Sequence, residues 1–319
     1  MAAGPTILIA HPIAEPCLNW LASRARVRPC QAQPTPAELR HAEALIVGSY
    51  TSVDATLLDQ AASLRVVGRA GVGLDRIDTA ACHKRSVAVV HTPQANTQAV
   101  VEYVLALMLD AVRPRVPFGA DLDEAAFHRS RKKLVGRQLD TLSLGILGFG
   151  RIGKRLGQVA AVLGMQVLVN DLIETPRLLE GVNYGPQVVD KRALFHRSDV
   201  VSVHVDGRAA NRHLLNTAAL AQLKSTCLLI NTSRGMVVDP QALAAWARRV
   251  ARDGGAVVLD VHEPEPPLPA DTYPLYGLPN VRLLPHLASR THNAVANMGW
   301  VVKDVVAVLE GRQPRYPAP

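Results

Sequence analysis

The feature that most constrains this chain is an alternation running through nearly all of it, in which short β-branched runs are separated by helix-length segments. A first series of runs lies at residues 6–10, 44–47, 66–68 and 88–91. A second lies at residues 142–147, 166–170, 200–204, 227–231, 256–259 and 281–284. Parallel neighbours need a long crossover, usually a helix, so the alternation predicts parallel sheets with helices on both faces. A length of 319 residues suits two such cores better than one. Between the series, Val100, Val104, Leu107 and Leu109 fall at helical spacing within residues 96–112. Arg113-Pro114-Arg115-Val116-Pro117 then ends that helix, because proline lacks a backbone donor and clashes with the preceding turn. Residues 294–309 regain helical spacing. As the one helix expected after the last strand, this tail is expected to return to the first domain and make it discontinuous.

Composition narrows the class. Hydrophobic residues make up 48% and charged residues 19%, which describes a globular chain and excludes a disordered one. Aromatics are only 4%, so Ala, Val and Leu must fill the cores. The formal charge of +8 is scattered; Arg129-Ser130-Arg131-Lys132-Lys133 comes nearest to a basic block. That charge favours anionic metabolites, and without a basic stripe interleaved with aromatics no nucleic-acid partner is expected. Cys17, Cys30, Cys82 and Cys227 form neither a C-x-x-C pair nor a ligand cluster with histidine. They read as small buried hydrophobes in a reduced cytoplasm, and no metal is expected. Residues 7–10 are too short an apolar stretch for an export signal, and Glu102 and Asp110 interrupt the longest one, at 99–112. A cytoplasmic chain without a membrane span is the expectation. The proline-rich residues 264–269 read as a loop leaving a strand end.

The first motif with chemistry is Gly148-Phe149-Gly150-Arg151-Ile152-Gly153, which follows a strand at 143–147 and opens a helix reaching about residue 164. Glycine-rich turns recur by chance, but here an acid, Asp171, closes the next strand 18 residues past Gly153. The first glycine permits a tight turn, the second lets a pyrophosphate approach the backbone, and the third lets helix and strand pack closely. Phosphate charge then meets free amides at the positive end of a helix. Asp171 can accept both ribose hydroxyls and would repel a 2′-phosphate, and the nearest following arginine is Arg177. NAD is therefore favoured over NADP.

Three later strand ends each deliver a polar candidate: Arg234 in Asn231-Thr232-Ser233-Arg234-Gly235, Glu265 in the loop after residue 259, and His286 after Pro285. In an open α/β sheet, ligands bind just outside the carboxyl ends of strands. An arginine, an acid and a histidine gathered there suit carbonyl reduction. Guanidinium polarises the carbonyl oxygen and grips a carboxylate, histidine exchanges the hydroxyl proton, and the acid holds the imidazole. His262, Glu263, His204, His91 and His11 are assigned no role.

With these motifs in place the sequence resembles the D-2-hydroxyacid dehydrogenase family along essentially its whole length. The resemblance rests on residues 68–78, 92–102, the glycine loop with Asp171, and residues 198–204, 231–235, 259–266 and 285–291. It implies two Rossmann-like or flavodoxin-like doubly wound parallel-sheet domains with a cleft between them. Residues 1–97 with 288–319 would form the substrate-binding domain, and 98–287 the NAD domain, through which members usually form homodimers. It implies catalytic roles for Arg234, Glu265 and His286, and substrate contacts from Ser49, from the amides of Gly71, Val72 and Gly73, and from Arg234. It assigns Asp260 to the nicotinamide carboxamide. It extends the nucleotide contacts from Gly148, Gly150, Gly153 and Asp171 to Arg151, Ile152, Val205, Thr232, Ser233, His286 and Ser289. The implied reaction is hydride transfer between NAD(H) and C2 of a small 2-hydroxy or 2-oxo acid of D configuration. Hydroxypyruvate, glyoxylate and 3-phosphoglycerate-type acids are the candidates. The alternative is an NAD(H)-sensing protein without turnover, like the co-repressors that share the fold. Formate oxidation is disfavoured, because that branch carries glutamine where this chain has Glu265.

The chain also departs from the family pattern. Val205-Asp206, with Arg208 close behind, stands where a proline commonly follows the histidine, which is expected to alter cofactor contacts. Asp140-Thr141 replaces a usual Gly-Lys and is expected to be silent. Gly48-Ser49-Tyr50-Thr51 occupies the segment where phosphoglycerate-specific members carry phosphate-binding arginines, which weakens that substrate assignment. A serine-sensing domain of the kind some members append after the returning helix is not expected.

Overall fold

A computed structural model describes residues 4–113, 115, 117, 119, 123–133 and 135–319, so Pro114 and Val116 of the expected helix stop lie outside the described residues. The chain divides into two compact units, residues 1–96 with 289–319 and residues 97–288.

Unit 1 is built on β1 (Thr6–Ile9), β2 (Arg26–Pro29), β3 (Ala44–Val47), β4 (Val66–Arg69) and β5 (Ala88–His91), in the order β2-β1-β3-β4-β5. All four pairings are parallel. Alternate residues of each strand point to opposite faces. Accordingly Ile7, Ala44, Ile46 and Val66 join one core, whereas Leu8, Leu45, Val47 and Val67 join the other. Burial on both faces explains why the inner strands read as unbroken apolar runs. One face is covered by Val301, Val302, Val305 and Val306 of the C-terminal segment. A Cβ at Gly68 would collide with Val305, so that glycine lets the segment seat on β4. The single helix expected over 294–309 is instead two, His292–Gly299 and Val302–Leu309. β2 had no signal in the sequence: as an edge strand it is largely exposed and needs no apolar run.

Unit 2 begins with the helix Thr97–Val112 and contains β6 (Ser143–Leu147), β7 (Gln166–Asn170), β8 (Gln187–Val188), β9 (Val200–Val203), β10 (Leu228–Asn231), β11 (Ala256–Leu259) and β12 (Val281–Leu283). Their order is β12-β11-β10-β9-β6-β7-β8, with every pairing parallel, and the direction of strand addition reverses between β6 and β9. Such a reversal opens a crevice at the carboxyl ends of the two strands. The two-residue edge strand β8 is too short to leave a pattern in the sequence. Of the four cysteines, Cys17, Cys82 and Cys227 are buried as expected; Cys30 is only half-buried, because it follows the edge strand β2. Among the described residues no helix is long and apolar enough to cross a membrane.

A partly buried ion cluster ties β6 to the start of β9. The Asp199 carboxylate accepts from the Ser143 amide at 2.9 Å, the Ser143 hydroxyl at 2.8 Å and Lys224 Nζ at 3.0 Å. Burial alone would raise its pKa, but these bonds outweigh it and bring the group down from 3.8 to about 2. The folded value lies below the unfolded one, so this contribution is present above about pH 4 and is lost as pH falls through about 2. Asp199→Asn is expected to lower unfolding free energy by roughly 2 kcal/mol at pH 7. Denaturant titrations at falling pH should show that difference shrinking below about pH 4; a constant difference would reject the ionic origin.

Candidate active site

The glycine loop leaves β6 at the strand reversal. Gly148 has φ 94°, and a Cβ there would lie 2.7 Å from the His204 carbonyl carbon and the Val205 amide. The turn therefore needs glycine for both its conformation and its contact with the segment after β9. Gly153 sits against the Gly148 carbonyl and Ile146, which brings the helix Arg151–Val162 onto the strand. Beside Gly150 there is open space for 4 Å, and this N-cap has no side-chain bond to the helix amides. Arg151 is exposed beside it and Ile152 partly buried. Asp171 is oriented from below: the Phe149 amide donates to Oδ2 at 2.6 Å and the Ile173 amide to Oδ1 at 3.2 Å.

The departure after β9 is an ion pair. Arg208 Nε donates to Asp206 Oδ1 at 2.7 Å, its Nη2 donates to Oδ2, and Asn211 Nδ2 reaches the same carboxylate at 2.9 Å. The bond from Arg208 is the main reason Asp206 is held below the usual carboxylate range, and the same guanidinium interacts electrostatically with Asp171. Val205 packs on the apolar core beneath. His204 bonds Ser202 Oγ through Nε2 at 2.8 Å, and burial lowers its pKa to about 4, so the ring is neutral.

Strand register puts the other candidates at one level. Asn231 pairs with Leu259 and Leu259 with Leu283, so the loops bearing Arg234, Glu265 and His286 leave three adjacent strands side by side. The Asn231 side chain wires the first loop: its Oδ1 accepts from the Ser233 amide and hydroxyl at 3.0 and 2.7 Å, and its Nδ2 donates to the Arg234 carbonyl at 2.9 Å. That occupies Ser233, whereas the buried Thr232 Oγ1 has no partner. Gly235 lies so close to the next loop that a Cβ would overlap the His262 carbonyl. His262 in turn bonds the Leu284 carbonyl at 2.7 Å, which fastens the Glu265 loop to β12.

His286 Nδ1 and Glu265 Oε1 are 2.8 Å apart. Burial works to raise the Glu265 pKa, but the bond from His286 and the charges of His286, His262 and Arg234 hold it below its ordinary value. His286 takes the left-handed conformation, φ 57°, rare for a residue other than glycine. Asp260 holds it there: fully buried, its two oxygens accept the Leu287 and Ala288 amides, each at 2.8 Å. Tyr103 of the first helix donates to the same carboxylate, and burial with the Asp260 charge pushes the phenol up to about 12. Tyr103 carried no sequence signal, because it belongs to no strand-end motif, whereas His262 stands within the strand-end stretch 259–266 and was assigned no role. Among the described residues no three His, Cys, Asp or Glu side chains are grouped to hold a metal ion.

In unit 1, Ser49 is exposed after β3, and Gly71, Val72 and Gly73 form the turn after β4. Gly71 donates its amide to the Arg69 carbonyl at 2.8 Å, which engages it within the protein. The carbonyls of Gly71, Val72 and Gly73 meet Thr92 Oγ1 at 3.2 Å, His91 Nδ1 at 3.0 Å and Arg69 Nε at 3.0 Å. In a trans peptide N–H and C=O point oppositely, so the amides of Val72 and Gly73 face away from the Thr92 and His91 partners. Ser289, expected among the nucleotide contacts, lies in unit 1, directly after the boundary at Ala288.

The family model described as D-isomer specific 2-hydroxyacid dehydrogenase, NAD binding domain, matches residues 105–288. The chain is 34% identical over 312 residues to a D-3-phosphoglycerate dehydrogenase of Archaeoglobus fulgidus, covering 96% of this chain but 57% of that protein. It is 38% identical over 273 residues to an (S)-sulfolactate dehydrogenase of Chromohalobacter salexigens, covering 82% and 83% of the two. Among solved structures, the D-lactate dehydrogenase of Aquifex aeolicus complexed with NAD and lactic acid superposes with a TM-score of 0.79 at 26% identity, covering 96% of each chain.

Proposed function

The chain belongs to the D-isomer specific 2-hydroxyacid dehydrogenase family, and from that premise we propose that it interconverts a small 2-hydroxy acid and its 2-oxo acid with NAD. The observation that carries the reading is the 2.8 Å contact between His286 Nδ1 and Glu265 Oε1, with Arg234 near enough for its charge to bear on Glu265. The carboxylate fixes Nδ1 and leaves Nε2 as the atom that exchanges a proton with the substrate oxygen. Arg234 binds the substrate carboxylate and polarises the carbonyl. Asp260 and Tyr103 act through the backbone, keeping His286 in its strained conformation.

The residues present fit NAD. The open space at Gly150, the uncapped helix N-terminus, the oriented carboxylate of Asp171 and the unpartnered Thr232 hydroxyl are the groups that would hold it. When bound, NAD supplies or accepts the hydride. Asp171→Ala is expected to raise the Kd of NADH about tenfold or more, through loss of charge-assisted bonds to the ribose. NADPH, with Arg208 nearby to meet its phosphate, should change little or bind better. Calorimetric titration of both cofactors checks this, and an unchanged preference would remove Asp171 from the ribose site.

NADH oxidation across glyoxylate, pyruvate, hydroxypyruvate, 3-phosphohydroxypyruvate and 3-sulfopyruvate tests the reaction. Turnover of at least one acid supports the proposal; NADH binding without turnover of any favours a sensor. A cytoplasmic homodimer paired through unit 2 completes the reading. The helix Glu124–Lys133, which buries none of its residues, is the observation in its support. A monomeric mass in sedimentation would reject the dimer.

A further inference from the structure

The segment after β9 carries a cluster that hydride transfer does not use. In the sheet of unit 2, β6 lies between β9 and β7, so the glycine loop is flanked by the segments leaving those two strands. On one side the loop touches the segment after β9, since a Cβ at Gly148 would lie 2.7 Å from the His204 carbonyl carbon and the Val205 amide. Asp206 is the next residue. On the other side the loop holds Asp171 through the Phe149 amide, at 2.6 Å. Arg208 donates to Asp206 three times: its amide at 3.3 Å and its Nε at 2.7 Å to Oδ1, and its Nη2 to Oδ2. Asn211, itself buried, fixes the acceptor, with Nδ2 donating to the Asp206 carbonyl at 3.0 Å and to Oδ1 at 2.9 Å. An exposed ion pair is ordinarily weak, because two side chains must be ordered and water screens them. Here the partners are two residues apart, the fork is bidentate and a buried amide already orders the carboxylate. The same guanidinium interacts electrostatically with Asp171 across the loop.

We propose that Asp206 is a specificity-determining residue for the cofactor: by engaging Arg208 it withholds a cation from the adenosine ribose and so excludes a 2′-phosphate. This rests on the reading of the glycine loop and Asp171 as the dinucleotide site. Two carboxylates then act on one phosphate by different routes. Asp171 repels it directly and takes the ribose hydroxyls. Asp206 removes the guanidinium that would offset that repulsion, because Arg208 gives its Nε–Nη2 fork and its charge to the neighbouring acid. Asparagine at 206 would keep the size of the side chain and an oxygen for Arg208 and Asn211, but would leave the guanidinium charge unbalanced and its exposed side chain able to turn toward the ribose.

The test is calorimetric titration of NADH and NADPH into the wild-type protein, Asp206→Asn, Arg208→Gln and the double variant, which together form a mutant cycle. Asp206→Asn is expected to lower the Kd of NADPH about tenfold, the scale of one charge-assisted contact, while NADH stays within about threefold. The double variant should return NADPH to within about threefold of its wild-type Kd, because the gain needs Arg208. A ratio of the two Kd values unmoved in Asp206→Asn, or a gain that survives in the double variant, overturns the proposal. Should Asp206→Asn fail to fold, Arg208→Gln, at an exposed position, carries the test alone. It leaves the Asp206 charge unbalanced, so NADPH should bind at least about threefold weaker while NADH holds, and unchanged NADPH binding overturns the proposal. Because the readout is binding, NADH binding without turnover of any acid would reject the dehydrogenase and leave the Asp206 role standing. A wild-type protein that binds neither dinucleotide rejects both.

Discussion

His286→Ala is expected to lower kcat for 2-oxo acid reduction by about two to four orders of magnitude, the usual contribution of a positioned general acid. The loss should appear equally in kcat and kcat/KM, because the proton moves in the transition state and ground-state binding of the acid falls to other groups. NADH should still bind with a Kd within about threefold, since the glycine loop, Asp171 and Thr232 are untouched. Stopped-flow NADH oxidation with a parallel binding titration separates the two. Near-normal turnover would sink the catalytic assignment. The size of the effect depends on the ring being held in one pose, which three independent supports ensure. Glu265 bonds Nδ1, Asp260 fixes the two following amides, and His262 ties the Glu265 loop to Leu284.

Gly235→Ala is expected to cost about a hundredfold in kcat/KM without touching a reacting group. The added Cβ would overlap the His262 carbonyl and come within 2.7 Å of the Glu263 amide, all backbone atoms that no rotamer change relieves. The loops after β10 and β11 must move apart, carrying Arg234 and Glu265 with them, and a displacement near 1 Å is enough for a loss of that size. Overpacking should also lower stability by about 1–3 kcal/mol. The informative comparison is with Gly150→Ala, where a Cβ meets nothing within 4 Å. That variant should keep its stability and lose NADH affinity. If Gly235→Ala turned over normally, the loop contact would have no bearing on the site.

Much of the architecture was legible because strand periodicity and motif chemistry are local properties. β3 and β11 begin and end where the runs of Ala, Val, Ile and Leu do, since strands covered on both faces must be apolar throughout. β2 and β8 were not legible, because β2 is largely exposed and needs no such run, and β8 has only two residues. The C-terminal break into two helices falls at Gly299-Trp300-Val301, where apolar spacing continues across the interruption and periodicity gives no sign of it. Asp206 and Arg208 were visible as a departure from a pattern. That they form a bidentate pair beside Asp171 depends on the turn that folds Asn211 back onto the same carboxylate.

The candidate site divides the same way. Arg234, Glu265 and His286 could be picked out as candidates from the sequence alone, because each sits in a short motif at a strand end and the proposed reaction class needs those chemical types. Their support was decided only by the tertiary structure. Tyr103 lies more than 150 residues before Asp260 in the chain, and only the packing of the first helix of unit 2 brings its hydroxyl to that carboxylate. The same holds in unit 1. Read along the chain, Gly48–Thr51 lacks arginines; in the fold Gly48 is the space that His11 fills, two residues far apart in sequence. Local pattern fixes which strands form and which residues end them. Which side chains share a charge field depends on strand order and register, and these are set by the packing of the whole sheet.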